Sequence, residues 1–389
     1  MIQPFYGEFL VQPFPLDLAL NYCSHKCAYC FANLNKPGRK ADLPAIVRQV
    51  ERMHDQENLT ARLLREGYPV VMSNKVDPFA ASNYQLTLPL LKLFKAKGIP
   101  VAFQTKGGKG IDDALKIVSP SYWYVSIAFQ DDAIRRKIEP GAPSIESRWE
   151  LVKQLRDLGH AVCIGANPLV PEWIPDIDGF LDKIEKSGAQ GVWAETLHLN
   201  NNQTRNMLPR EIENMGANIV KRAYKGGKDD SSLSHFWEFT GKAIDRGIPT
   251  FCINNPFASH FWKPAQELYE KKFPVFQDFV NWCFANSGES MQKPVTFSMF
   301  RASLNGQFPQ GDAKVMDYLG ATGPKLKAEI PQAKGLDYEG FLQLTWQHPE
   351  MKACPAKTFC FEDSPIGRDE KNLTVWQYNL SSPAQPTNK

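Results

Sequence analysis

LTLPLLKLFKAKGIPVAFQTK, residues 86–106, changes its hydrophobic period halfway along. As far as Lys97 the apolar residues recur every three or four positions, which is the spacing of one buried helix face. Beyond Gly98 and Pro100 the chain reads VAFQT, a short run that suits a pleated, buried strand. Glycine just past a helix adopts the left-handed conformation without a Cβ penalty, and the following proline cannot continue the helix. The same punctuation recurs at EGYP (66–69), LGHA (158–161), SGAQG (187–191) and RGIP (246–249). Each is followed by a β-rich run: VVMSN, VCIGANP, VWAETL and TFCINN. A further apolar run, WYVSIAF (123–129), and a first strand near Phe14–Leu20 complete the series.

A second amphipathic stretch, IESRWELVKQLRDLG (145–159), has Ser144 in place to cap its N-terminus and Glu146 in the first turn to favour its dipole. Strand–helix alternation at this spacing predicts six or seven right-handed βαβ units around a parallel sheet. The expected class is α/β, as a full or partial (β/α) barrel whose active site lies at the C-terminal ends of the strands. Past about residue 265 the rhythm fades. The expected division is a barrel domain at 1–265 and a mostly helical extension at 266–389, including 273–288 and 337–348. The tail SSPAQPTNK reads as disordered.

The chain has 389 residues, enough for a large core, with 43% hydrophobic and 22% charged residues, the balance of a soluble globular protein. No run of about 18 apolar residues is present, so no membrane span is expected. MIQPFYGEFLVQPFP lacks the basic start and apolar core of a signal peptide. A cytoplasmic, reducing location follows, in which cysteines act as metal ligands more often than as disulfides. The net charge of +3 selects no partner. The basic clusters KPGRK (36–40), KGGK (106–109) and RRK (135–137) each read as solvated surface.

NYCSHKCAYCFANLN, residues 21–35, sits in the loop after the first strand and places Cys23, Cys27 and Cys30 within eight positions. Thiolates ligate zinc or iron–sulfur clusters. A structural zinc site needs four ligands, and no second CxxC or HxxxH partner appears, while His25 between the cysteines makes a cramped fourth ligand. A [4Fe–4S] cluster that only transfers electrons takes four cysteines; three leave one iron open.

The spacing Cys-x3-Cys-x2-Cys, with Tyr29 before the last cysteine, resembles the radical S-adenosylmethionine (radical SAM) superfamily. Residues 124–171 resemble its spore photoproduct lyase and DNA-repair-photolyase-like branch, through Ser126–Ile127, Glu139–Pro140, Ser144, Arg148 and Pro168. Thr105–Lys106 and Asp77–Pro78 also fit. The resemblance covers roughly residues 14–255 and leaves out the C-terminal part.

It implies one [4Fe–4S] cluster on Cys23, Cys27 and Cys30, whose open iron binds SAM. Reductive cleavage then gives a 5′-deoxyadenosyl radical that takes hydrogen from a substrate. It implies Tyr29 against the adenine, Ser73 and Asn74 on the methionine part, Lys106 and Ser126 on the carboxylate or ribose, and the Asn167 backbone beside the adenine. No catalytic side chain is singled out. An external electron donor such as flavodoxin or ferredoxin is implied. The substrate class implied is a nucleic acid or nucleotide, with a peptide or small metabolite as the alternative. A non-catalytic zinc or iron–sulfur protein is the reading from another class. Spore photoproduct lyases carry a cysteine at the end of the second strand, where this chain has Met72 and Ser73.

Five cysteines remain. Cys163, Cys252 and Cys283 lie in apolar patterns and read as core. Cys354 and Cys360 read as unpaired loop thiols, with two alternatives: an auxiliary cluster or zinc site with Cys283 or His348, or a hydrogen-atom donor. Lys106, Lys109, Arg135 and Arg136 follow predicted strand ends and are expected to face the barrel mouth, where they would neutralise phosphates.

Overall fold

The computed structural model describes residues 1–4, 16–18, 20–30, 41–56, 58–72, 75–224, 230–251, 264–265, 267–270, 292–299, 301, 338–348 and 365–379. The chain divides into two compact units. The first takes in 1–3, 16–252 and 263–270; the second takes in 4–15, 253–262 and 271–389.

The first unit is built on a sheet whose eight strands follow in chain order: β1 (Ile2–Pro4), β2 (Leu16–Leu18), β3 (Val70–Met72), β4 (Val101–Thr105), β5 (Tyr122–Ser126), β6 (Ala161–Leu169), β7 (Val192–Thr196) and β8 (Thr250–Phe251). Each pair from β2 to β8 is parallel. Among the described residues the run extends from β1 to β8, a partial barrel. Among the described residues eleven helices accompany these strands: α1 (Leu43–Glu51), α2 (Leu59–Arg65), α3 (Tyr84–Ala96), α4 (Ile111–Leu115), α5 (Asp132–Ile138), α6 (Ile145–Asp157), α7 (Ile177–Ser187), α8 (Asn201–Asn206), α9 (Pro209–Met215), α10 (Ala217–Tyr224) and α11 (Asp230–Asp245).

All seven expected strands are present, the first over Leu16–Leu18. Val70, Val71 and Met72 are all buried, as parallel strands covered on both faces must be. Gly98 closes α3 at φ +66, and the matching glycines 67, 159, 188 and 247 share the left-handed region. Ser144 caps α6, its Oγ accepting from the Ser147 amide at 3.2 Å. Beneath the sheet, Phe103 stacks on Trp123 at 3.9 Å between ring centroids, with Phe79 beside them at 5.7 Å.

In the second unit the described residues form a three-stranded antiparallel sheet in the order β10 (Gly367–Arg368), β11 (Thr374–Asn379), β9 (Gln292–Val295). Helix α12 (Tyr338–Gln347) packs on it: the Trp346 indole donates to the Thr374 carbonyl at 2.6 Å, and the Trp376 indole to the Trp346 carbonyl at 3.0 Å. The helix falls in the predicted stretch 337–348, whereas nothing in the sequence reading anticipates the sheet. The predicted helix at 273–288 and the tail lie outside the described residues.

Candidate functional site

The loop after β2 carries Cys23, which is buried, and Cys27 and Cys30, which are half-buried. It is pinned to the segment between α5 and α6 by backbone bonds. The Ala28 amide donates to the Ile138 carbonyl at 2.9 Å and the Gly141 amide to the His25 carbonyl at 3.0 Å. Gly141 permits this approach, since a Cβ there would lie 2.3 Å from the Ser24 carbonyl oxygen. On its other side the loop meets Asn83, whose side-chain oxygen accepts from the Asn21 amide at 3.1 Å and whose amide donates to the Asp77 carbonyl at 2.9 Å.

His25 is not a fourth ligand. Its Nδ1 lies 2.9 Å from the Gly141 carbonyl and its Nε2 3.1 Å from Asp77 Oδ2, deep in the protein. Burial alone would raise the Asp77 pKa, but His25 and the amides of Lys106 and Phe79 hold it below the ordinary carboxylate range. The donor set left for a metal is three thiols on one short loop, close enough to influence one another's ionisation. Burial pushes Cys23 up to about 11 and Cys27 well above the ordinary thiol value. Both are therefore thiols until a metal displaces their protons. Among the described residues no three His, Cys, Asp or Glu side chains converge on a single-ion site.

Beside this loop three predicted cofactor residues come together. Lys106, just past β4, donates to Oγ of Ser126 at the end of β5 at 2.7 Å and to the Tyr29 hydroxyl at 3.0 Å. Its Nζ also lies 3.0 Å from Glu139 Oε1. The Tyr29 hydroxyl donates to the same carboxylate. From the other side Arg148 on α6 bonds Glu139 Oε2 and donates to the Ser126 carbonyl at 3.0 Å. Glu139 and Arg148 are both wholly buried. Burial would raise the Glu139 pKa, but Arg148 and Lys106 bring it down to about 2. Burial opposes the charge on Lys106, yet Glu139 raises its pKa above the usual lysine value. The network is ionised at neutral pH.

Asn167 lies at the irregularity between Ala166 and Leu169 in β6, and its side chain bonds Tyr124. Ser73 and Asn74 lie outside the described residues, as do Cys252, Cys283, Cys354 and Cys360. Cys163 is buried, as expected.

Two of the four cations expected to offer phosphate contacts are otherwise engaged. Lys106 is held in the network above, and Arg135 is buried, donating to the carbonyls of Glu139 (3.0 Å) and Ala142 (2.7 Å) and pairing with Asp132. Arg136 is exposed and pairs with Asp132, while Lys109 lies 6.0 Å over the Tyr84 ring. A different basic surface is present. Between α8 and α10 an open groove of about 410 Å³ is lined by Arg205, Lys221, Tyr224 and smaller residues. Neither cation makes an ion pair among the described residues. Helix α8 reaches back to the cysteine loop, where the Gln203 amide donates to the Tyr29 carbonyl at 3.2 Å.

In the sequence Asp77, Glu139 and Arg148 mark the resemblance but carry no assigned role. The signal for their role is a charged residue beside a strand end, and it gains meaning only once the partner is visible in space.

Residues 19–184 match the model of the radical SAM superfamily. An uncharacterised protein of Mycobacterium tuberculosis strain H37Rv is 28% identical over 194 residues, covering 46% of this chain and 56% of that protein. The chain thus spans little more than half the length of this relative. A protein of Acidianus two-tailed virus is 23% identical over 210 residues, covering 49% of this chain and 69% of that protein. Among solved structures, spore photoproduct lyase complexed with dinucleoside spore photoproduct aligns at a TM-score of 0.38 and 15% identity, covering 56% of this chain and 63% of that one. Streptococcus suis SuiB bound to precursor peptide SuiA aligns at 0.40 and 15%, covering 65% and 53%.

Proposed function

We propose that the protein is a radical SAM enzyme: residues 19–184 match the model of that superfamily, whose cofactors are a [4Fe–4S] cluster and SAM. The observation that carries this reading is the three-thiol loop at the C-terminal end of β2, set beside Lys106, Ser126 and Tyr29. When bound, the cofactors supply one-electron cleavage of SAM and a carbon-centred radical able to take a hydrogen atom from a substrate. The chain's own residues do the rest. Cys23, Cys27 and Cys30 would hold the cluster through their three thiolates. Lys106 presents its ammonium to a carboxylate or ribose, and Ser126 steadies that ammonium at 2.7 Å. Tyr29, half-buried against Trp173 at 5.7 Å, offers a flat face for the adenine. Ser73, Asn74 and Asn167 complete the SAM contacts in this reading.

Anaerobic reconstitution with iron and sulfide tests the cluster. The wild-type protein should turn brown with a broad absorbance near about 400 nm. Replacing Cys23, Cys27 and Cys30 together with alanine should abolish it, and a triple variant that stays brown would overturn the assignment.

The substrate in this reading is a nucleic acid or nucleotide. Its support is the groove of Arg205, Lys221 and Tyr224, where two cations with no carboxylate partner among the described residues meet a half-exposed aromatic ring. Cations that take phosphates, alongside a ring on which a base stacks, suit single-stranded nucleic acid. A labelled oligonucleotide should bind at about 50 mM salt and bind much more weakly at about 200 mM, because each neutralised phosphate releases counterions. The double variant R205E/K221E should remove that binding. No binding at the lower salt, or binding without a salt slope, moves a peptide or small metabolite ahead.

A further inference from the structure

The network around Glu139 has more cations than anions. Lys106 and Arg148 share the single Glu139 carboxylate, so the buried group carries one surplus positive charge. An unmatched buried charge is costly, which makes such a group a place where an anion is expected. Its exit is Lys106, whose side chain is 15% exposed while Glu139 and Arg148 are sealed. The surplus charge therefore faces outward through one ammonium, next to Cys27.

How that ammonium is aimed is also visible. A lysine has four rotatable bonds and a point charge with no preferred direction. Here Glu139 Oε1 and Ser126 Oγ hold its Nζ at 3.0 and 2.7 Å, and Ser126 is itself fixed through its carbonyl by Arg148. The same carboxylate takes the Tyr29 hydroxyl. Arg148 secures the carboxylate in turn and donates to the Pro143 carbonyl at 3.1 Å. One side chain thus sets the direction of two groups that arrive from different loops.

We propose that Glu139 is the positioning residue of the cofactor site: held by Arg148, it orients the Lys106 ammonium and the Tyr29 ring for SAM without touching SAM itself. The proposal rests on the radical SAM reading above. It deepens that reading by assigning the carboxylate–guanidinium pair on which SAM affinity depends. Partners that orient a ligating side chain commonly matter almost as much as the side chain itself.

The test is SAM titration of anaerobically reconstituted protein, with iron content and melting temperature measured alongside. Glu139→Gln keeps the shape and removes the charge. Iron content should match wild type, and the dissociation constant for SAM should rise by about 10- to 100-fold. Lys106→Ala should show a rise of similar size. Because Glu139 acts through Lys106, combining Glu139→Gln with Lys106→Ala should add little, which a merely structural role would not produce. Glu139→Gln leaves Arg148 buried without a counter-charge, so Glu139→Gln/Arg148→Met, which removes both charges, carries the test if the single variant fails to fold. A SAM affinity within about twofold of wild type in the folded variants, or fully additive losses, overturns the proposal. In that result wild type still binds SAM and iron, so the radical SAM reading stands. A wild-type protein that takes up neither overturns both.

Discussion

His160, just before β6, is buried against Trp123, with ring centroids 5.7 Å apart. Its Nδ1 accepts from the Ser121 amide at 3.0 Å, an arrangement that needs the neutral ring. Burial holds its pKa below the ordinary histidine value. A folded pKa below the unfolded one means that the folded state binds fewer protons. The stabilisation is therefore complete above the unfolded value, near 6.5, and is lost as pH falls through the folded one. Each unit of depression is worth about 1.4 kcal/mol. His235 is shifted the same way by burial, so the comparison must be made against a variant. The urea midpoint should drop between about pH 7.5 and 5.5, and drop less in His160→Phe. That variant should also be less stable at the higher pH by about 1–3 kcal/mol, since the Ser121 amide loses its acceptor. Equal pH slopes in the two proteins would show that His160 does not contribute.

At the scale of elements, what the sequence made legible were features whose cause is local. Helix α3, ending at Ala96, and β4, starting at Val101, are separated by four residues, among which Gly98 and Pro100 dictate the break through their backbone preferences. Ser144 capping α6 is likewise a matter of three neighbouring residues. The three thiols of the cysteine loop are close in sequence and therefore close in space. What escaped was set by distant partners. Arg135 reads as a surface cation, yet it is buried because the chain between α5 and α6 folds back and offers it two carbonyls. His25 sits between two cysteines in sequence but turns to Asp77 and Gly141. In the second unit β10 and β11 pair close in sequence, Gly367 with Val375, but β9 joins β11 from some 80 positions away, as Val295 with Trp376, so no local period announces that pairing.

At the scale of the whole molecule, the parallel strands β2 to β8 bring the ends of β2, β4, β5 and β6 to one face. Onto that face come the cysteine loop, Lys106, Ser126 and Asn167, residues up to 144 positions apart, between Cys23 and Asn167. That convergence is what a (β/α) barrel provides for any chemistry at its mouth. No helix among the described residues is long and apolar enough to cross a membrane. In the proposed function this face cleaves SAM reductively, and release of 5′-deoxyadenosine reports that step. Reconstituted wild-type protein, supplied with a chemical reductant and SAM in the absence of air, should release 5′-deoxyadenosine and methionine. The Cys23→Ala/Cys27→Ala/Cys30→Ala variant should release none above the protein-free control. Release from the triple variant equal to wild type, or none from a wild-type protein shown to hold its iron, would contradict the account.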